Sequence, residues 1–427
     1  MADNLYDNKG HVLNVGGSVN IVRQLLSGVP IAQINGFQLY APQGGGSATI
    51  TSESWRNMAF DEQFYAYYRG RINNANGEGI GWYKRLHLLH ISDTHKGNSQ
   101  IEEAIRAAQS RCDVMINTGD DANSATHDAI SSELSAAATS VATANTQSKP
   151  YIYCAGNHDV PLQTKQEVFD IMGDLIEHYS PTFVFGDAAH YKLYGYYDIK
   201  PNDNIGTIRI ISLDPFDYPD GSYGGQRAFS SATFSQSQID WLIATLDDAR
   251  TNGYAVITMM HYSFGDNSLY FNEEKAKPDA TYYQDAFMIP DIIDAFQHGT
   301  ALTKTYSDSK NVENISVNIS SSVAQLEYIC HLFGHIHSKN DFRCQKTDGS
   351  KIYDILMLGE AAISVYGNAL NKAYREPNTV NNIAFSMLSI DTVEKCIYRV
   401  AYGSYLNYDG TNNVTNRIKK FSYVYND

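Results

Sequence analysis

The sequence from Leu86 onward predicts an α/β fold, and two observations support this prediction. Short apolar runs typical of strands alternate with longer amphipathic runs typical of helices. Several of the apolar runs end in a glycine followed by a polar residue, as strands do at the site-bearing edge of an α/β sheet. We therefore expect sheets flanked by helices in this part of the chain.

The predicted strands are apolar or aromatic runs bounded by polar residues or glycine. They lie at 86–92, 113–119, 150–156, 190–199, 207–213, 254–260, 326–333, 351–358, 383–390 and 395–403. Strands dominate the last third of the chain, whereas the middle third alternates strands with helices.

The predicted helices lie at 100–111, 127–145, 165–179, 235–250 and 289–296. The second is rich in alanine, which has the highest helix propensity. The fourth begins with Ser235 and has Gln238 three positions later, which is the pattern of a capping box.

Residues 1–83 differ in composition from the rest of the chain. They are rich in glycine, asparagine and aromatic residues, and contain several turn signals and no catalytic constellation. We interpret them as a small accessory or attachment region that precedes one domain at 84–427. A polar stretch at about 263–325 is interpreted as an insertion in that domain.

Composition and charge disfavour several classes of function. The 427 residues are 43% hydrophobic and 19% charged, as in ordinary globular proteins, and no apolar run is long enough to predict a membrane span. A formal net charge of −15 disfavours broad binding of nucleic acids or anionic membranes.

The start of the chain lacks the apolar segment of a secretory signal, and the five widely spaced cysteines are expected as buried free thiols. We therefore predict a cytoplasmic location, with association with a phage particle or another assembly as an alternative.

Five predicted strands run directly into side chains that can bind a metal ion. In chain order these are Asp93 and His95, then Asp120, Asn157, His261, and finally His335 with His337. A strand end is a rigid anchor and glycine allows a tight turn, so such side chains can converge at one edge of a sheet. Each block alone is common in unrelated loops, but five in succession indicate a metal centre.

The residue types indicate which metals this centre would hold. Mixed histidine, carboxylate and amide ligands suit zinc, manganese or iron, whereas calcium and magnesium prefer oxygen ligands alone. Two such ions about 3.5–4 Å apart can hold one phosphate group and ionise a water molecule between them. One carboxylate has to bridge ions held that close, so the sequence predicts a dinuclear centre for phosphoester chemistry.

The order of the blocks, D-x-H, G-D, G-N-H-D, H and G-H-x-H, resembles that of the calcineurin-like metallophosphoesterases of bacteria and phages, over roughly residues 86–405. The resemblance implies two packed mixed β-sheets flanked by helices. It implies one ion bound by Asp93, His95, Asp120 and His337, and a second bound by Asp120, Asn157, His261 and His335. It also implies attack by a metal-bridging hydroxide, with His158 as the general acid.

The blocks depart from two branches of that family. Ser/Thr protein phosphatases carry GDxVDRG and GNHE where this chain has GDDANSA and GNHD, and the tyrosine of the purple acid phosphatases corresponds to Asn123. Both branches are therefore disfavoured. Asn123 or Asp159 is the predicted hydrogen-bonding partner of the His158 imidazole. His127 and Tyr262 are candidate substrate contacts, because each closely follows a ligand block.

The predicted function is hydrolysis of a small phosphoester or nucleotide. A phosphodiester is favoured as substrate because no arginine accompanies the motif blocks. The alternatives are a phosphomonoesterase or nuclease of the same fold, and a catalytically silent structural or virion protein in which residues 1–83 are the working part. The complete set of ligand positions favours an enzyme over the silent protein.

Overall fold

The structure, a computed structural model, describes only part of the chain in detail. The described residues are 5–6, 12–13, 32–34, 37–39, 85–109, 111–201, 205–217, 233–264, 288–306, 314–337, 339, 341–345, 352–363, 383–403 and 418–424. Within residues 1–83 they form two antiparallel strand pairs, β1 (Leu5–Tyr6) with β2 (Val12–Leu13) and β3 (Ala32–Ile34) with β4 (Phe37–Leu39). The rest of this region lies outside the described residues, and its accessory role stays a prediction.

Of the fifteen strands that the described residues form from Leu86 onward, ten correspond to the ten that the sequence predicts, and five short ones of two to five residues are additional to them. The fifteen strands are β5 (Leu86–Ile91), β6 (Val114–Asn117), β7 (Tyr151–Tyr153), β8 (Val184–Phe185), β9 (Gly195–Ile199), β10 (Ile208–Ser212), β11 (Ala255–Met259), β12 (Leu302–Tyr306), β13 (Ile315–Ile319), β14 (Glu327–Phe333), β15 (Asp341–Gln345), β16 (Ile352–Gly359), β17 (Ala384–Asp391), β18 (Cys396–Gly403) and β19 (Ile418–Ser422).

The predicted helices are also present. They are α1 (Asn98–Ala108), α2 (His127–Ala144), α3 (Lys165–Val168), α4 (Asp174–Tyr179), α5 (Gln236–Asn252) and α6 (Met288–His298). A π-helical turn at Phe169–Gly173 joins α3 to α4, so the helix predicted at 165–179 is continuous. Helix α6 and the antiparallel hairpin β12–β13 lie within the stretch that we interpret as an insertion.

Two mixed sheets form the framework, as the family resemblance implies. The first sheet has the order β19-β18-β17-β5-β6-β7, and the second has the order β15-β16-β14-β11-β10-β9-β8. In the first sheet β5, β6 and β7 are parallel, and in the second β10, β11, β14 and β16 are parallel. Antiparallel strands complete each sheet.

One continuous apolar core joins the two sheets and the helices. Strands β5, β6, β11 and β17 are buried along their whole length, which shows that both faces of each sheet are covered. Helices α1 and α2 pack against each other, and α5 packs against β11. The carboxyl ends of the parallel strands are thereby fixed relative to one another, which is what a site at their edge requires.

Two smaller expectations have clear outcomes. All five cysteines are buried and free, as predicted. The Ser235 hydroxyl accepts a hydrogen bond from the Gln238 backbone N–H at 3.2 Å, but the Gln238 side chain bonds to the backbone of Asp214, so only half of the predicted capping box forms. In the described part of the chain, no helix combines the length and apolar character needed to cross a bilayer.

Candidate metal centre

The candidate ligands lie on loops at the carboxyl ends of five strands, β5, β6 and β7 of the first sheet and β11 and β14 of the second. These loops are hydrogen-bonded to one another. The Asp93 N–H donates to the carbonyl of Gly119 at 2.8 Å, which ties the loop after β5 to the loop after β6. The Gly334 N–H donates to the carbonyl of His261 at 3.0 Å, which ties the loop after β14 to the loop after β11. The His335 N–H donates to the Asp93 carboxylate, at 3.0 Å from Oδ2, and so links the two sheets.

Four side chains from these loops form the first group of ligand atoms, which we name cluster 1: Asp93, His95, Asp120 and His337. One ligand atom from each lies within 4.8 Å of the others. His337 Nε2 is 3.3 Å from an Asp93 oxygen and 3.0 Å from His95 Nε2. Two ring nitrogens and two carboxylates thus face one point.

A second group, cluster 2, consists of Asp120, His261 and His335, whose ligand atoms also lie within 4.8 Å of one another. The Asn157 side-chain oxygen is 2.9 Å from His261 Nε2 and 2.9 Å from His335 Nδ1, so it borders the same point. Asp120 belongs to both clusters. The structure therefore brings together all seven residues that the sequence predicts as ligands, in the two sets that the resemblance implies.

Backbone carbonyls orient two of the imidazoles toward the clusters. His95 Nδ1 donates to the carbonyl of Ala122 at 3.2 Å, and His261 Nδ1 donates to the carbonyl of Thr118 at 2.7 Å. In a neutral ring this leaves the Nε2 lone pair directed into the centre. Metal-binding histidines are held in this way, with the other ring nitrogen donating to an outer group.

The ligand loops contain a concentration of unusual backbone conformations. Asp93, His95, Asp120, His335 and His337 all have positive φ angles, between 42° and 67°. Residues other than glycine rarely adopt this region, and the strain is characteristic of functional sites. The fold therefore stores strain at the residues whose side chains converge.

Glycine allows two loops to approach the carboxylates closely. A Cβ added at Gly156 would lie 2.1 Å from Asp120 Oδ1, and one added at Gly334 would lie 1.8 Å from Ser92 Oγ and 2.7 Å from Asp93 Oδ2. Neither position has room for a side chain. The glycines of the GNHD and GHIH blocks are thus required by packing against the ligands.

The electrostatics of the centre fit the binding of cations. Burial lowers the pKa of His95 to about 4 and that of His335 to about 3. Burial raises the pKa of Asp93, but the neighbouring His337 outweighs it and lowers this pKa to about 2. Burial likewise lowers the pKa of His261, but Asp120 outweighs it and raises this pKa to about 9. Neutral imidazoles and ionised carboxylates are the forms that bind metals, and a cation in cluster 2 would replace the proton of His261.

His158, the predicted general acid, lies beside the clusters and is half-buried, as are His335 and His337. Its backbone N–H donates to Asp120 Oδ1 at 2.8 Å, and its ring packs edge-on against that of His95, with centroids 5.0 Å apart. Asn123 Oδ1 is buried and accepts no hydrogen bond within the described residues. Asn123 therefore retains the acceptor that its predicted role requires, and that role stays a prediction.

Asp159, the other predicted partner of His158, has a different set of contacts. Its carboxylate accepts hydrogen bonds from the backbone N–H groups of Asp120, Ala122 and Gly156, each at 2.8 Å, and from the Tyr153 hydroxyl at 2.6 Å. It is fully buried. Asp159 thus joins the GDD loop to the GNHD loop, and a contribution to catalysis through the His158 ring stays untested.

The two candidate substrate contacts differ in exposure. His127 is exposed at the start of α2, and its ring nitrogens lie 2.9 Å from carboxylate oxygens of Asp128 and Glu167. Tyr262 is fully buried, and its ring packs edge-on against His335 with centroids 4.6 Å apart. Tyr262 therefore supports a ligand ring, and contact of either residue with substrate stays a prediction.

The structure also shows supporting residues that the sequence did not single out. Ser92 Oγ donates to Asp93 Oδ2 at 2.6 Å, and the carbonyls of Thr118 and Ala122 hold the ligand imidazoles. A serine next to the D-x-H block was a usable sequence signal. Backbone carbonyls have no sequence signal, because every residue type carries one.

The family model for calcineurin-like phosphoesterases matches residues 86–339, more than half of the chain. A search of curated protein sequences gives no significant match.

Solved structures similar to the chain include the following three proteins, each at low sequence identity. A dimetal phosphatase from Danio rerio is 12% identical, with a TM-score of 0.49 and coverage of 79% of this chain and 99% of that chain. The protein TT1561 of Thermus thermophilus is 10% identical, with a TM-score of 0.39 and coverage of 74% and 98%. Phosphopantetheinyl hydrolase from Mycobacterium tuberculosis is 11% identical, with a TM-score of 0.35 and coverage of 66% and 91%. On the strength of the family model, the chain belongs to the calcineurin-like phosphoesterase family.

Proposed function

We propose that the protein is a dinuclear metal-dependent phosphodiesterase. The observation that supports this best is the pair of ligand clusters that share the Asp120 carboxylate, with His158 next to them. A single shared carboxylate is what two ions need in order to lie close enough to act on one phosphate group.

Cluster 1 would hold one ion, and cluster 2 together with Asn157 would hold the other. The donor set of imidazole nitrogens, carboxylates and an amide oxygen suits manganese, zinc or iron. When bound, two such ions make water nucleophilic near neutral pH and stabilise negative charge on a phosphoryl group. The carboxylates cancel only part of the positive charge of two such ions. The centre would therefore keep a net positive charge and attract a phosphoester despite the net charge of −15 on the chain.

His158 is proposed to donate a proton to the leaving oxygen. Its backbone is held by Asp120, and its ring lies beside His95, next to cluster 1, so the imidazole is near any phosphate bound there. The amide oxygen of Asn123, which has no hydrogen-bond partner among the described residues, is available to accept a hydrogen bond from this ring and to orient it.

The arrangement of arginines supports a diester substrate. Six of the seven arginines in the described part of the chain form ion pairs with Asp or Glu residues outside the clusters. The seventh, Arg111, donates to the carbonyl of Ala107. A monoester carries an additional negative charge that an arginine would normally neutralise. The six paired arginines are held by acidic residues outside the clusters, so none of these six is supplied to a phosphate at the centre.

A metal-reconstitution assay tests the proposal. Protein stripped by a chelator is supplied with Mn²⁺, Zn²⁺ or Fe²⁺, its bound metal is counted, and hydrolysis of bis-p-nitrophenyl phosphate is compared with that of p-nitrophenyl phosphate. We expect two ions per chain, metal-dependent turnover and preference for the diester. His158→Ala should lower kcat by about 10²–10⁴-fold. His190→Ala, a change at an exposed histidine paired with Asp187, is the matched control and should leave kcat unchanged.

The outcomes separate the parts of the proposal. Preference for the monoester would retain the metal centre and refute the diester assignment. Binding of two ions without turnover of any phosphoester would refute the enzymatic function and favour the silent structural protein. Failure to bind two ions would refute the dinuclear centre itself.

A further inference from the structure

Glu133, on the second turn of helix α2, bonds to both the loop after β5 and the loop after β6. We name this set of contacts, formed by Glu133, Lys96, Asn123 and Ser124, the Glu133 clamp. Glu133 Oε2 accepts hydrogen bonds from the backbone N–H groups of Asn123 at 2.7 Å and Ser124 at 2.9 Å. Glu133 Oε1 accepts from the Ser124 hydroxyl at 2.5 Å and from the Lys96 ammonium at 2.6 Å. Lys96 also donates to Ser124 Oγ at 2.8 Å, which closes the network.

The clamp holds both chain segments that orient the cluster 1 ligand His95. Lys96 directly follows His95, and its backbone N–H donates to the carbonyl of Asp121 at 3.0 Å. Asn123 directly follows Ala122, whose carbonyl receives the His95 Nδ1–H. Movement of either segment would turn the imidazole or remove the acceptor that fixes its tautomer.

The environment of Glu133 allows these contacts to be strong. Its side chain is only 14% exposed, whereas that of Lys96 is 46% exposed. Hydrogen bonds to a carboxylate are stronger than those between neutral groups, and low exposure reduces competition from water. The loop after β6 has no other acidic side chain bonded to the N–H groups of Asn123 and Ser124 within the described residues.

Two consecutive residues in the loop after β5 have strained backbone conformations, which need support from neighbouring groups. His95 and Lys96 both have positive φ, at 42° and 71°. Such conformations persist only where the surroundings hold them. Glu133 is placed to hold this turn by binding the Lys96 side chain on one side and the partner loop on the other.

We infer that Glu133 is a positioning residue that sets the orientation of His95 and thereby the affinity of cluster 1 for its ion. Glu133 lies outside all five motif blocks. The inference rests on the proposed metal centre. Cluster 2 has a different set of supports, the carbonyl of Thr118 and the ring of Tyr262, so its affinity should not depend on Glu133.

Calorimetric titration of chelator-stripped protein with Mn²⁺ or Zn²⁺ tests the inference without recourse to activity. His335→Ala leaves cluster 1 as the intact site, and His95→Ala leaves cluster 2. Glu133→Gln, added to the His335→Ala variant, should weaken the remaining binding event by about 10-fold, the lower end of what outer hydrogen-bond partners contribute. Added to the His95→Ala variant, it should change the remaining affinity by less than 2-fold.

Two further variants keep the test decisive. Glu102→Gln removes a carboxylate that pairs with Arg106 on the surface of α1, and it should leave both affinities unchanged. If Glu133→Gln does not fold, the pair Lys96→Met and Ser124→Ala removes three of the donated hydrogen bonds while leaving the backbone contacts. This pair should weaken cluster 1 in the same direction by a smaller factor.

The results distinguish this inference from the proposed function. Unchanged affinity of cluster 1 in the Glu133 variant, or an equal loss in both clusters, would overturn the positioning role while the dinuclear centre stands. Absence of metal binding in the unmodified protein would overturn the proposed function, and the positioning role with it.

Discussion

Replacement of Gly156 by alanine should disable both ion sites through a single methyl group. The added Cβ would lie 2.1 Å from Asp120 Oδ1 and 2.3 Å from the Asp120 backbone nitrogen, whereas contacts below 3.0 Å essentially do not occur. The carboxylate or the GNHD loop must therefore move by about 1 Å, which is several times the ±0.2 Å tolerance of a metal–ligand distance. Because Asp120 belongs to both clusters, the displacement should affect both proposed ion sites.

The expected magnitude follows from these distances. A displacement of about 1 Å at a catalytic group costs about 10²-fold in rate, and overpacking costs about 1–3 kcal/mol of stability. We expect kcat/KM on bis-p-nitrophenyl phosphate to fall at least 100-fold. Calorimetric titration with Mn²⁺ should show a weaker affinity for both ions. Chemical unfolding would measure the loss of stability separately.

The control is Gly206→Ala, because an added Cβ there has no atom within 4 Å. This variant should match the unmodified protein in metal affinity, activity and stability. If Gly156→Ala bound both ions and turned over substrate as well as the Gly206 variant did, the close approach of the GNHD loop to Asp120 would not matter, and our reasoning would be wrong.

Two further predictions concern stability. Asp159→Ala should lower the free energy of unfolding by about 3–5 kcal/mol, because three buried N–H groups and a hydroxyl lose their acceptor. Urea unfolding measures this loss, with Asp128→Ala at an exposed carboxylate as the control. A loss no larger than that of the control would contradict the prediction. Burial lowers the pKa of His331 from 6.5 to about 3. The unfolded chain therefore binds a proton that the folded chain excludes, and stability falls as the pH drops below 6.5, by up to about 1.4 kcal/mol per pH unit. His331→Gln should flatten this slope between pH 6 and 4, and an unchanged slope would refute the assignment.

The convergence of the candidate ligand residues could be predicted because their signals are local in sequence. Asp93, His95 and His337 each follow an apolar run that the periodicity identifies as a strand, and parallel strands bring their ends to one edge. The same reasoning predicted the order of strands and helices. The resemblance implied two mixed sheets, but the pairing of the strands was not predicted, because β17 pairs with β5 across almost 300 residues and apolar patterns do not encode partners at that separation.

The supporting contacts could not be predicted, because they depend on three-dimensional proximity. Glu133 is an acidic residue within a predicted helix, for which sequence alone gives a solvated side chain as the simplest interpretation. Asp159 was predicted as a partner of His158 because it is adjacent in sequence. In the structure its carboxylate oxygens accept hydrogen bonds from Tyr153 and from backbone groups of two loops. Adjacency in the chain did not determine where that carboxylate points.

The division of each cluster between the two sheets has a consequence for biosynthesis. Cluster 1 takes three ligands from loops of the first sheet and His337 from the second, while cluster 2 takes Asp120 from the first and two histidines from the second. Both proposed ion sites therefore have to wait for strand β14 to join its sheet, and a ribosome-bound chain cannot complete cluster 2 before residue 335 has emerged or cluster 1 before residue 337 has emerged. Ions bound at the proposed centre would link the two sheets, so that separation of the sheets would require release of the metal.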